Sequence, residues 1–111
     1  MGIREWLAQW RGDYPLGAMA DEVATRTFDD AWQLVQQRIG SLQGRELVGY
    51  VRARTRSVVM NEAARAIAGA GGLRSDLQGQ LIDMAHVSLL RLVEARHRTQ
   101  SAAAHAKRRA A

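Results

Sequence analysis

Apolar side chains recur along this chain at intervals of three and four almost from end to end, the spacing of helices that bury one face. Ile3, Trp6, Leu7 and Trp10 form one face of a short first helix. Gly12-Asp13-Tyr14-Pro15-Leu16-Gly17 follows as a turn, because Pro15 has no N–H to continue a helical ladder. Met19 to Arg26 predicts a short helical piece, broken near Thr25 because Val23 shares no face with what comes next. Thr27-Phe28-Asp29-Asp30 reads as a variant capping box, with two acids where a helix dipole favours them. The helix it opens carries a narrow stripe of Phe28, Trp32, Val35 and Ile39, and Gly40-Ser41-Leu42-Gln43-Gly44 ends or kinks it.

Residues 45–68 carry two competing patterns. Val51-Arg52-Ala53-Arg54-Thr55-Arg56-Ser57-Val58 alternates like an edge strand, but no second run of period two exists for it to pair with. Leu47, Val48, Val51, Thr55, Val58, Val59 and Ala66 fall within about 100° of one another on a helical wheel, and the alanines at 63–68 favour helix intrinsically. The prediction is helix. Gly69-Ala70-Gly71-Gly72 then connects antiparallel neighbours. Ser75 caps a last helix from about Asp76 towards Arg98, whose main face is Leu77, Leu81, Met84, Ala85, Ser88, Leu92 and Ala95. Ile82, Leu89 and Val93 widen that face, while Val87 and Leu90 point the other way.

The expected fold is therefore all-α: an elongated antiparallel hairpin or bundle of two long helices with two to three shorter N-terminal helices packed on it. Residues 1–100 make one helical domain, and 101–111 form a basic, alanine-rich tail that frays or is disordered. A helix of 24 residues is about 36 Å long, whereas a compact domain of 100 residues has a radius of gyration of about 13 Å. Short N-terminal helices cannot cover both faces of so long a hairpin. Val87 and Leu90 are left wet in a single copy, and burying such side chains stabilises by roughly 1.5–3 kcal/mol each. A homo-oligomer, with a dimer favoured, follows as the expectation. Its contact residues are Trp6, Trp10, Met84, Val87 and Leu90.

Composition narrows the chemistry. The 111 residues hold no cysteine, which excludes disulfides, thiolate metal sites and cysteine nucleophiles. The net charge of +5 is unevenly spread: residues 1–37 carry three arginines against six acids, and residues 38–111 carry thirteen basic against five acidic side chains. Fifteen of the sixteen basic residues are arginine, which a GC-rich coding sequence produces without selection for function. Arg45, Arg52 and Arg56 nevertheless share one helical face, seven and four residues apart, and guanidiniums in a row suit phosphates. They carry the alternative reading, a small basic nucleic-acid-binding protein. A helix-turn-helix register with its turn at Gly40 does not support that alternative, because it places Glu46 and Gly49 at core positions.

Other candidates reduce to structure. Asp83-x-x-His86 and Glu94-x-x-His97 have the acid-x-x-His spacing of di-metal bundles, but they lie about 16 Å apart on the helix face opposite Leu77 and Leu81. They read as surface pairs, and no metal or cofactor is expected. Glu62 falls inside the apolar stripe of residues 45–68, so it needs a cation or its pKa rises. Arg65 at i+3, or an arginine of a neighbouring helix, is the expected partner, and a buried polar pair of this kind can set helix register. Gly69-Ala70-Gly71-Gly72 lacks the Lys-Ser/Thr of a phosphate loop, and no Ser, His and acid cluster forms, so an enzyme is not expected. No apolar run approaches the ~20 residues of a membrane span, which gives a soluble, cytoplasmic expectation. The first functional reading is a non-enzymatic helical protein that acts by self-association or by binding a protein partner.

Overall fold

The computed structural model describes residues 13–110, and their regular structure is entirely helical. Three long helices pack together: α1 (Asp13–Val35), α2 (Gly44–Gly69) and α3 (Ser75–Ala110). A single turn of 3-10 helix at Ile39–Ser41 links the first two.

α1 runs unbroken through sequence features that predict a turn, a break and a fresh start. Pro15 is tolerated because it falls in the first turn, where backbone N–H groups have no intrahelical acceptor. Thr27 does not cap anything. Its buried hydroxyl donates to the Val23 carbonyl at 2.8 Å, one turn back inside the helix. Leu16, Met19, Ala20, Val23, Ala24, Thr27, Ala31 and Val35 make one continuous buried stripe once alanine and threonine count as core. The predicted helix of Ile3, Trp6, Leu7 and Trp10 lies outside the described residues.

α2 is helical through the segment that alternates like a strand, and its buried side chains fall every fourth residue at Val51, Thr55, Val59 and Ala63. This stripe is narrower than the sequence predicts, and Val48 stands outside it, 44% exposed. The helix ends in a Schellman arrangement: the Gly72 N–H donates to the Ile67 carbonyl at 2.9 Å and the Gly71 N–H to Ala68 at 3.1 Å. Both glycines have positive φ, 85° and 110°, which side chains with a Cβ rarely adopt.

Ser75 is the first helical residue of α3 rather than its cap. The Leu77 and Gln78 N–H groups both donate to the Arg74 carbonyl at 3.0 Å, so Arg74 takes the capping position. The buried face of α3 is Leu81, Ala85, His86, Leu89 and Val93, rotated away from the expected face so that Met84 and Leu92 stand exposed. The alanine-rich stretch continues as helix to Ala110, with every side chain from Ala102 to Ala110 exposed.

Cross-helix contacts give the directions. Leu34 of α1 accepts a hydrogen bond from Tyr50 Oη of α2, and Arg26 reaches Glu62, so α1 and α2 are antiparallel. Asp21 of α1 accepts from Ser88 Oγ at 2.6 Å, while Arg96 lies over the Trp32 ring, so α1 and α3 run parallel. The interface of α1 with α3 is the most extensive and that of α2 with α3 the least. α1 therefore holds the centre of the bundle. The molecule is long and thin, 58 × 28 × 20 Å with a radius of gyration of 16.5 Å. No described helix is long and apolar enough to cross a membrane.

Candidate functional site

Because α1 occupies one side of the α2–α3 seam, the other side is left open. A groove of about 540 Å³ runs along it, lined by Gly49, Arg52, Ala53, Arg56 and Met60 from α2 and by Gly79, Ile82, Asp83 and His86 from α3. No residue of α1 lines it. Small side chains keep it wide, since a Cβ added at Gly49 or Gly79 would meet no atom within 4 Å.

The groove gathers residues that the sequence assigns to different roles. Arg52 and Arg56 belong to the arginine row, and Asp83 and His86 to an acid–histidine pair placed on the surface. Arg52 pairs with Asp83 across the groove, and this ion pair ties α2 to α3. Both partners are more than half exposed, so the pair adds roughly 0.2–1 kcal/mol at most. Arg56 forms no ion pair with any described residue. Arg45 is exposed near the start of α2 but does not line the groove, so the row of three divides.

His86 corrects the surface assignment. It is 7% exposed, and its Nδ1 is buried without a hydrogen-bond partner among the described residues. Burial holds the imidazole below its ordinary value of 6.5; Arg52 pushes the same way, Asp83 opposes it, and Arg56 adds a further push down. Near neutral pH the ring is therefore uncharged.

Apolar side chains flank this polar stretch. A small cleft of about 40 Å³ beside it is lined by Val48, Val51, Arg52, His86, Val87 and Leu90. Val87 is 50% exposed and Met60 42%, while Leu90 is half-buried and packs against the core. Leu90 is thus drier than its position on the helical wheel predicts. Met84 leaves the group, because its methyl lies where a Cβ on Gly17 of α1 would meet it at 3.7 Å. Trp6 and Trp10 lie outside the described residues.

Glu62 sits apart, on the α1–α2 side. Its side chain is 15% exposed, and its carboxylate lies 3.6 Å from the Arg26 guanidinium and 3.7 Å from that of the exposed Arg65. Arg26 also holds Glu22 at 2.6 Å, so acids and arginines alternate across this edge. Among the described residues no group of three or more histidine, aspartate or glutamate side chains is placed to hold a metal.

Sequence reasoning misses Met60, Gly49 and Gly79, which enter the site only through the antiparallel register of α2 against α3. The exposed Val48 is legible only once the α2 stripe is known to be narrow. No protein-family model matches the chain, and no significantly similar protein is found among curated sequences or solved structures.

Proposed function

We propose that the chain is a non-enzymatic helical association module, that a second copy is its partner, and that the copies meet on the open α2–α3 face. The contact residues in this reading are Val87 and Leu90, joined by Val48 and Met60 from α2. In the same reading α2 and α3 act as the elongated antiparallel hairpin and α1 is the helix packed on it.

The observation that carries the proposal is the placement of Val48 and Val87. Both are about half exposed, side by side along a face that none of the three described helices covers. A valine left half wet has roughly 1 kcal/mol still to gain from burial, and a two-fold contact doubles every such gain. Size works in the same direction, because a bundle only 20 Å thick has little interior in which to hide a third layer.

Light scattering at micromolar concentration tests the reading. The expected mass is above the 12.3 kDa of one chain and does not fall with added salt. Val48→Glu/Val87→Glu is expected to return the mass to a single chain with its helix content unchanged. A mass of one chain for the unaltered protein at every concentration overturns the proposal.

A further inference from the structure

We propose that the α2–α3 groove is an oxyanion site that takes the phosphate group of a phosphorylated ligand between Arg52, Arg56 and His86. The inference does not rest on self-association, since it concerns the polar stretch of the groove and is read out by a different measurement.

Three independent observations converge on it. Arg52 and Arg56 stand one turn apart, about 6 Å along α2, and both face the groove. Arg52 already holds an oxyanion there, the Asp83 carboxylate, through one guanidinium nitrogen and one carboxylate oxygen, and Arg56 has no acidic partner among the described residues. Two cations against one anion leave an unmatched positive charge at this place. His86 supplies the second observation. Its ring is more than nine-tenths buried and lines the groove from the facing helix, so an anion seated there meets an imidazole edge as well as the two guanidiniums. The third is the open floor. Gly49 and Gly79 leave backbone where a side chain would otherwise fill the space, and the resulting groove of about 540 Å³ has room for a tetrahedral anion and the group that bears it.

The choice of phosphate over carboxylate follows from the donor set. Two guanidiniums on successive turns and an imidazole from the facing helix approach from different directions, and a tetrahedral anion offers a separate oxygen to each. A phosphate monoanion also carries a P–OH, so it can either donate to or accept from the imidazole edge that lines the groove. Asp83 acts as the internal competitor: the incoming phosphate displaces its carboxylate from Arg52. Phosphate of this kind is borne by small phosphorylated molecules and by polynucleotides, and the two sources are separated by experiment.

The charged groups acting on His86 are Arg52 and Arg56 of α2 and Asp83 of α3. An anion bound among them stabilises the imidazolium, so ligand binding raises the pH at which His86 titrates, and acid tightens binding. The experiment is an NMR titration of the full chain with inorganic phosphate, then pyrophosphate, then a short single-stranded oligonucleotide, following the His86 ring and the arginine side chains. Expected are saturable shifts at His86 and Arg56, a raised His86 titration midpoint, and affinity about tenfold or more weaker in Arg56→Gln. Asp83→Asn removes the competitor and is expected to tighten binding. Saturation by phosphate or pyrophosphate supports a small phosphorylated ligand, and saturation by the oligonucleotide alone supports the backbone of a polynucleotide at the same three residues. Absence of a saturable His86 shift with all three probes overturns the proposal, as does a shift that persists unchanged in Arg52→Gln/Arg56→Gln. Light scattering on the same samples reports self-association separately, so either reading can fail while the other stands.

Discussion

At the scale of single residues, His86 is where burial and charge are least reconciled. Its ring is packed into the bundle, yet Nδ1 has no partner and two arginines stand nearby. Such a group links stability to pH. In the unfolded chain the imidazole titrates near 6.5, and in the folded chain it titrates lower. Between the two values the unfolded state binds more protons, so stability is full above 6.5, declines as the pH falls through that value, and levels off below the folded one. His86→Leu removes the titrating group and also the unsatisfied nitrogen. Urea midpoints at about pH 7.5 and about pH 5.5 are expected to show the parent losing stability on acidification and the variant losing much less, with the variant at least as stable at the higher pH. Equal acid losses in the two proteins would place the pH dependence elsewhere. Glu62 presents the opposite case. Its side chain is partly buried, and Arg26 and Arg65 lie close to its carboxylate from two helices. The requirement for a cation was legible in the sequence from the position of Glu62 in an apolar stripe; that two arginines share the role depends on how α1 packs.

The elements differ in what sustains them. α2 and its exit were readable because the signals are local: an apolar and alanine-rich wheel over the helix, then glycines that permit the positive φ of the Schellman turn. α1 was not readable as one helix, because Pro15 and the Thr27–Asp30 stretch carry strong local signals for boundaries. Packing overrides them: small core residues such as Ala20, Ala24 and Ala31 let α1 approach both neighbours, and they register weakly when only large apolar side chains are counted. The buried face of α3 is not legible for a related reason, since a helix apolar on most sides leaves its rotation to be decided by neighbours. The end of α3 has no such support. From Ala102 to Ala110 every side chain is exposed, and the helix there rests on intrinsic propensity and on Lys107, Arg108 and Arg109 beside the negative end of its dipole. Truncation after Gln100 is therefore expected to change unfolding stability by less than about 0.5 kcal/mol. Amides of residues 102–110 are expected to exchange with solvent far faster than those around Leu81, Leu89 and Val93. A large loss on truncation, or slow exchange in this stretch, would show that the tail is held by contacts beyond the described fold.

For the molecule as a whole, two tendencies oppose each other. Apolar side chains on the α2–α3 face favour covering it, while a net charge of +5 makes two copies repel. The repulsion is sharpest near the contact, because Arg52 lines the same cleft as Val48 and Val87, Arg56 follows one turn further along the groove, and both would be brought towards their counterparts across a two-fold axis. Added salt screens such repulsion, with a Debye length of about 30 Å at 0.01 M falling to about 8 Å at 0.15 M. Burial of the valines is not weakened in this way. Self-association through this face is therefore expected to tighten as salt rises over that range, whereas phosphate binding by the same arginines weakens. Sedimentation equilibrium across that range, run beside the phosphate titration, measures both slopes. Association that loosens with salt would mean that copies meet through paired charges, with the acidic outer stripe of α1 (Glu22, Asp29 and Asp30) as the natural complement to the arginines, and the valine face would not be the contact. Arg52→Gln/Arg56→Gln separates these cases without disturbing the core, since both side chains are exposed. In an apolar contact the variant associates more tightly at low salt than the parent, and in a charge-paired contact it does not associate at all.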